Sequence, residues 1–303
     1  MASVCDGHTT TARSVRTLAA GLSWLMVAGF AEARADDAAA LSLDSEHMFG
    51  FTVGSDIGRA GDIEIEAETD AGAGKRAGRY VAALNSLQLK YTWLENVRIA
   101  PHVEFGLHAI DAVPGMSDVS RGSVASGGVE LKYRLLDRAT APFGLTFGLD
   151  ASLGRIDAAT GLRARDQALD VSVALDREIV ADRLFGALNV VYAPGWTRDY
   201  DTGLRGQAAA LEVSGALTGR IADGVYAGGE VRYVRAYDSV SLSGFAGEAV
   251  FAGPTLYVML SPHANMTVAW NMQVAGQAQG EAGHLDLTNF VRHQLRVRFG
   301  MGF

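Results

Sequence analysis

The carboxy-terminal segment limits the possible folds more than any other stretch. Positions 291, 293, 295, 297, 299, 301 and 303 read Val, His, Leu, Val, Phe, Met and Phe. Between them stand Arg292, Gln294, Arg296, Arg298, Gly300 and Gly302. Side chains alternate faces along a strand, so the stretch from Asp286 to Phe303 predicts a strand with one greasy and one charged face. Most soluble strands are about 5–6 residues long. A strand that crosses an outer membrane needs ~9–11 tilted residues, with lipid on one side and a polar interior on the other. The segment meets the second requirement.

Segments of the same kind recur at about 264–276, 244–261, 224–238, 206–220, 183–195, 166–178, 141–155, 124–136, 97–110, 82–94 and 61–69. In one, Val97, Ile99, Val103, Phe105 and Leu107 oppose Arg98, His102, Glu104 and His108. In another, Phe143, Leu145, Phe147, Leu149 and Leu153 oppose Gly144, Thr146, Gly148, Asp150 and Ser152. Short turns are expected at Glu95-Asn96, Asp137 to Thr140, Ile179 to Asp182, Ile221 to Gly224 and Ser261 to Asn265. Longer loops are expected near Asp70–Tyr80, Asp111–Gly122, Ile156–Arg165, Gly195–Arg205 and Gly276–Gly283, with a tighter one near 239–243. Outer-membrane barrels have short periplasmic turns and longer external loops. With the short turns in the periplasm, Tyr91, Trp93, Tyr133, Phe143, Phe299 and Phe303 form one aromatic girdle. Tyr192, Trp196, Tyr237 and Phe245 form the other.

The expected fold is therefore all-β, a transmembrane antiparallel up-and-down barrel of about twelve strands over residues 61–303. The short stretch Phe49-Gly-Phe51-Thr-Val53 would make thirteen, and single-chain bacterial barrels close with an even number. Residues 36–60 therefore read as an amino-terminal extension in the lumen or periplasm; a fourteen-stranded barrel is the alternative. A secreted soluble β-sandwich also alternates, but it accounts for neither the strand lengths nor the terminal Phe.

Residues 1–35 read as a cleaved signal peptide. Arg13 and Arg16 precede the apolar run Leu18 to Phe30, and Ala33-Arg34-Ala35 offers a small-residue cleavage site before Asp36. The run is too short and too broken for a spanning helix, which needs ~20 apolar residues. The single cysteine, Cys5, falls in this leader, so the expected mature chain has no disulfide or thiolate chemistry. A formal net charge of −8 with mixed signs gives no support to nucleic-acid binding.

The pattern Leu295, Val297, Phe299, Met301, Phe303 resembles the carboxy-terminal strand by which Gram-negative outer-membrane barrels are recognised for assembly. Gly253-Pro254-Thr255-Leu256-Tyr257, with Ser261-Pro262 and Met266-Thr-Val268-Ala-Trp270, is similar to a hairpin of porin-like transporter barrels. The phenol-degradation-pathway outer-membrane family is among these. The resemblance implies an even-stranded barrel, delivery through the periplasm to the barrel-assembly machinery via the strand ending at Phe303, and passive passage of small solutes. It transfers no functional residue.

The inward positions carry the chemistry. Glu64, Glu66 and Glu68 share one face of the first barrel strand, and Arg292, Arg296 and Arg298 share the polar face of the last. Closure makes these strands neighbours, so acidic and basic rows are expected to meet there, Glu64 near Arg298 and Glu68 near Arg292 or Arg296. Such pairs favour one register by ~0.2–1 kcal/mol each. They also set a field across a water-filled pore. Further lumen candidates are Lys90, His102, Glu104, Glu130, Lys132, Arg134, Asp150, Asp170, Glu212, Glu230 and Arg232. Inward glycines such as Gly106, Gly128, Gly148, Gly154 and Gly228 are expected to leave room.

An outer-membrane lipid hydrolase, acyltransferase or protease is the rival class. It needs nucleophile, base and orienting group in reach. His293 faces lipid by parity, and His263 and His284 fall in connections. A shared metal for His102 and His108 fails on distance, since they stand about 20 Å apart along the strand. No cofactor, metal site or catalytic residue is assigned. The loop Trp196-Thr-Arg198-Asp199-Tyr200-Asp201 reads as a solvated external loop, or as a gate or a contact for phage, lipopolysaccharide or a partner. The expected function is a porin-like channel or transporter for small solutes in the cell outer membrane, in contact with outer-membrane lipid and lipopolysaccharide. A structural or adhesive barrel with a plugged lumen is the third option.

Overall fold

A computed structural model describes residues 45–303, which lie within one compact unit. The expected leader and residues 36–44 lie outside the described residues. Among the described residues the chain forms twelve strands: β1 (Ile63–Ala73), β2 (Arg79–Leu94), β3 (Val97–Asp111), β4 (Val119–Leu136), β5 (Gly144–Ile156) and β6 (Arg163–Val180). There follow β7 (Leu184–Asp199), β8 (Arg205–Ala222), β9 (Val225–Tyr237), β10 (Phe245–Ser261), β11 (Ala264–Ala278) and β12 (His293–Gly302). Each pairs antiparallel with its sequence neighbour, and β1 pairs with β12, so the sheet closes into a barrel with no free edge.

The burial along each strand is inverted relative to a soluble sheet. Leu87, Leu107, Leu188 and Leu217 stand at least half exposed, whereas Glu66, Lys90, Arg98, Glu230 and Arg298 are almost fully buried. Water would not tolerate such a surface, and lipid requires it. This separates the fold from the soluble sandwich. Trp93, Tyr91, Tyr133 and Phe303 project outward at the end where residues 95–96, 181–183, 223–224 and 262–263 make short turns; Trp196 does so at the other.

Three boundaries differ from expectation. The last strand begins at His293, because Asp286 is fully buried and accepts the amides of Thr288 and Asn289, which turns the chain away from the sheet. Only the second half of the alternating stretch is strand. The first strand extends past Asp70 to Ala73, which brings Asp70 into the sheet. Finally, Trp196 to Asp199 continue β7 instead of forming a loop, and β8 starts already at Arg205.

Candidate functional site: the filled half of the lumen

Residues 45–58 form no strand yet run through the barrel interior at the short-turn end. Ser45, Glu46, His47, Met48, Phe49, Thr52, Ser55 and Ile57 are all buried. Irregular backbone inside a barrel must find partners for its amides and carbonyls, and wall side chains supply them. The amides of Phe51 and Thr52 donate to the Glu230 carboxylate at 3.1 and 2.8 Å. Asn189 takes the amide of Val53 at 2.7 Å and donates to its carbonyl at 2.8 Å, as a paired strand would. Thr267, Thr146 and Thr92 donate to the carbonyls of His47, Ser55 and Ile57 at 2.5, 2.5 and 2.6 Å.

Charge fixes the start of this segment. The Glu46 carboxylate receives the Arg98 guanidinium, the Lys132 ammonium at 2.6 Å and the Lys90 ammonium at 3.3 Å. Burial alone would push the Glu46 pKa up. The three cations outweigh it and hold the carboxyl well below the usual range. His47 Nε2 lies 2.7 Å from Glu66 and 3.0 Å from Glu64. These three side chains could together hold a metal ion, but the Lys90 ammonium stands among the same atoms, 2.7 Å from Glu66 and 3.1 Å from His47. The cluster therefore reads as a charge network. Farther along, Asp56 meets Arg138 at 2.8 Å and Ser55 donates to Asp176 at 2.5 Å.

The opposite side of the segment is apolar. Met48 and Phe49 pack with Phe185, Tyr226 and Tyr257 on β7, β9 and β10. Phe51 lies under two guanidinium groups, Arg232 at 4.3 Å and Arg296 at 4.6 Å from its ring centre. The wall glycines beside this segment are filled space. A Cβ on Gly144 would collide with Ser55, and one on Gly50, itself at φ +36°, would meet Ala269 and Glu230 at 2.6 Å. The same holds for Gly106, Gly128, Gly148, Gly154 and Gly228, whose missing side chains admit neighbouring residues. Their expected role of leaving open space is thereby corrected.

The closing seam does pair acids with arginines, in a different register. Glu64 stands opposite Gly302 and Glu66 opposite Gly300; Glu68 faces Arg298 and Asp70 faces Arg296. Arg298 bonds Glu68 at 2.6 Å and reaches Glu66 at 3.5 Å, while Arg296 grips Asp70 and lies 3.3 Å from Glu68. The expected Glu64–Arg298 pair does not form, and Arg292 precedes the strand, exposed. Register follows the continuous backbone ladder around the closed sheet, and the charges adapt to it.

The remaining predicted lumen groups divide between the two ends. Glu130 and Lys132 join the Glu46 network at 3.2 Å from each other, and Arg134 caps the Glu95 carbonyl at 2.8 Å. Arg232 holds Glu212 with two bonds of 2.8 and 2.7 Å and donates to Gln294. Glu104 accepts from Ser126, and His102 lies 3.6 Å from Asp150. Asp150 and Asp170 face one another across β5 and β6. His108 instead meets the Ala158 carbonyl at 2.8 Å, so it does not share a site with His102.

A family model, the family of unknown function DUF6662, matches residues 41–303, taking in the luminal segment with the wall. The chain belongs to that family. Among solved structures, this family member is similar to the COG4313 outer membrane channel from Pseudomonas putida F1. The TM-score is 0.55 at 12% identity, over 82% of this chain and 98% of that one. The translocator domain of autotransporter NalP from Neisseria meningitidis gives a TM-score of 0.50 at 12% identity, over 82% and 91%. The β domain of the Bordetella autotransporter BrkA gives 0.50 at 14%, over 80% and 99%. At such identities the likeness is one of fold, that of the porin-like outer-membrane barrels. No curated protein matches the chain in sequence.

Proposed function

We propose that this protein is an outer-membrane channel for small polar solutes, held shut at its periplasmic end by residues 45–58. The observation that carries the reading is the way this segment is held. Nearly every anchor is a single wall side chain: Glu230, Asn189, Thr146, Thr92, Thr267, Arg98 and Lys132. No strand pairing ties it to the sheet. Such an insert can leave without breaking the barrel ladder. Midway along β5 and β6, Asp150 and Asp170 stand opposite each other on the wall, and this acidic stretch would orient polar solutes. The similarity to an outer membrane channel supports the same reading.

Planar-bilayer recording tests it. The chain lacking residues 36–58 should show stable conductance well above that of the full-length protein, whose openings should be brief. Equal, negligible conductance from both would overturn the channel reading and favour a structural barrel whose apolar cluster at Met48 and Phe49 fixes the insert permanently.

A further inference from the structure

The outer surface of β5–β8 carries a feature unrelated to the lumen. The register sets Arg165 opposite Arg198, and Arg198 opposite Arg205, so three guanidinium groups stand side by side across β6, β7 and β8. All three are exposed, and Arg155 lies exposed on the same face of β5. Like charges placed directly opposite one another destabilise a sheet. Among the described residues none of these four side chains has an ion-pair or hydrogen-bond partner. Two nearby acids are engaged in turns. Asp199 accepts the amides of Asp201 and Thr202, and Asp157 accepts those of Ala159 and Thr160.

Immediately below this row, toward the membrane centre, lies a groove of about 880 Å³. Leu153, Leu169 and Trp196 form its sides, and Gly127 and Ala151 its floor. The register gives the row Leu153–Gln167–Trp196, two residues in from Arg165 and Arg198. Two residues along a strand is about 7 Å, the span from a lipid head group to the start of its acyl chains. Leu153 is 62% exposed and Trp196 41%, so the groove opens outward.

We infer that this face binds an acylated lipid with a phosphorylated head group, the arginine row holding the phosphate and the groove an acyl chain. Guanidinium groups match phosphate oxygens with paired, charge-assisted hydrogen bonds. An apolar groove beneath them distinguishes such a lipid from free phosphate. The site faces the bilayer and is independent of whether the lumen conducts.

Native mass spectrometry of the detergent-solubilised full chain tests this with a bis-phosphorylated, acylated disaccharide lipid, the same lipid without phosphates, and inorganic phosphate as competitor. R165Q/R198Q/R205Q should weaken binding of the phosphorylated lipid roughly a hundredfold, each arginine contributing about fivefold near a membrane surface. The dephosphorylated lipid should bind wild type as weakly. A Cβ on Gly127 would meet only the His102 carbonyl, at 3.6 Å, so G127F can fill the groove without disturbing the wall. It should lower lipid retention while leaving phosphate competition intact. Heat-shifted gel mobility verifies that each variant is folded. Wild-type binding by the triple variant, or equal binding of the dephosphorylated lipid, overturns the proposal. Unchanged lipid retention by G127F overturns it in favour of a free-phosphate site.

Discussion

At the short-turn end of the lumen, Glu46 meets Arg98, Lys132 and Lys90 from three strands, and each of these charges has an opposite. Midway along β5 and β6, Asp150 and Asp170 face each other, and among the described residues Asp170 has neither ion-pair nor hydrogen-bond partner. Both ends are written in the same period-two alternation. What separates them is the segment 45–58, which brings its own acids and backbone to one end only. Where that segment lies, wall charges act as a lock. At Asp150 and Asp170 the segment supplies no partner.

The contrast can be broken most forcefully at the lock. Glu46→Gln leaves the buried cations Arg98, Lys132 and Lys90 with one carboxylate fewer and should destabilise the luminal segment by roughly 3–5 kcal/mol. Limited proteolysis in detergent should cut at residues 45–58 while the barrel keeps its heat-shifted mobility; continued protection would show that the apolar side alone holds it. Gly144→Val places a branched side chain where Ser55 sits. It should cost about 1–3 kcal/mol by overpacking, read as raised conductance with unchanged strand content by circular dichroism.

Acid sharpens the comparison. The Glu46 pKa is depressed in the folded chain, so its contribution is complete above the ordinary carboxyl value near 4.5 and is lost as pH falls toward the folded value. Protection of residues 45–58 should therefore be flat from neutral pH to about 5 and decline below about 4. A decline beginning well above pH 5 would show that Glu46 is not the group that holds the segment. Arg232→Lys keeps the charge but loses the fork on Glu212 and the flat contact with Phe51. It should cost about 0.5–2 kcal/mol in urea unfolding. The smallest effect belongs to the Asp150–Asp170 pair. Asp170→Asn should leave stability unchanged or raise it by about 0.2–1 kcal/mol through relief of repulsion. The same change should lower the cation-to-anion permeability ratio, measured from reversal potentials; a loss of barrel stability would show that Asp170 has a structural partner after all.

Glu68 and Arg296 were readable as inward charges from the alternation alone, and so was their meeting at the seam. Asp70 was not. It follows the apolar–polar pattern only weakly, so it read as loop, yet the ladder carries β1 past it and gives Arg296 its closest partner. Arg198 was read as loop and missed as a strand residue for a related reason. Above the lipid belt nothing selects apolar outward side chains, so the greasy period that marks a strand stops before the strand does. The residues 45–58 were opaque because the alternation Phe49-Gly-Phe51-Thr-Val53 suits an extra strand as well as a luminal path, and the bonds that hold them to the wall run to residues far along the chain, such as Val53 to Asn189 and Ser55 to Asp176.

The amino-acid sequence by itself settled the alternation, the even closure and the polarity of the interior, because each depends on which residue follows which along a strand. Only the tertiary structure decided the register at the seam, the filling of one end of the lumen and the arginine row on the outer face. Those depend on backbone hydrogen bonds around a closed sheet, which place residues side by side whatever their separation in the chain.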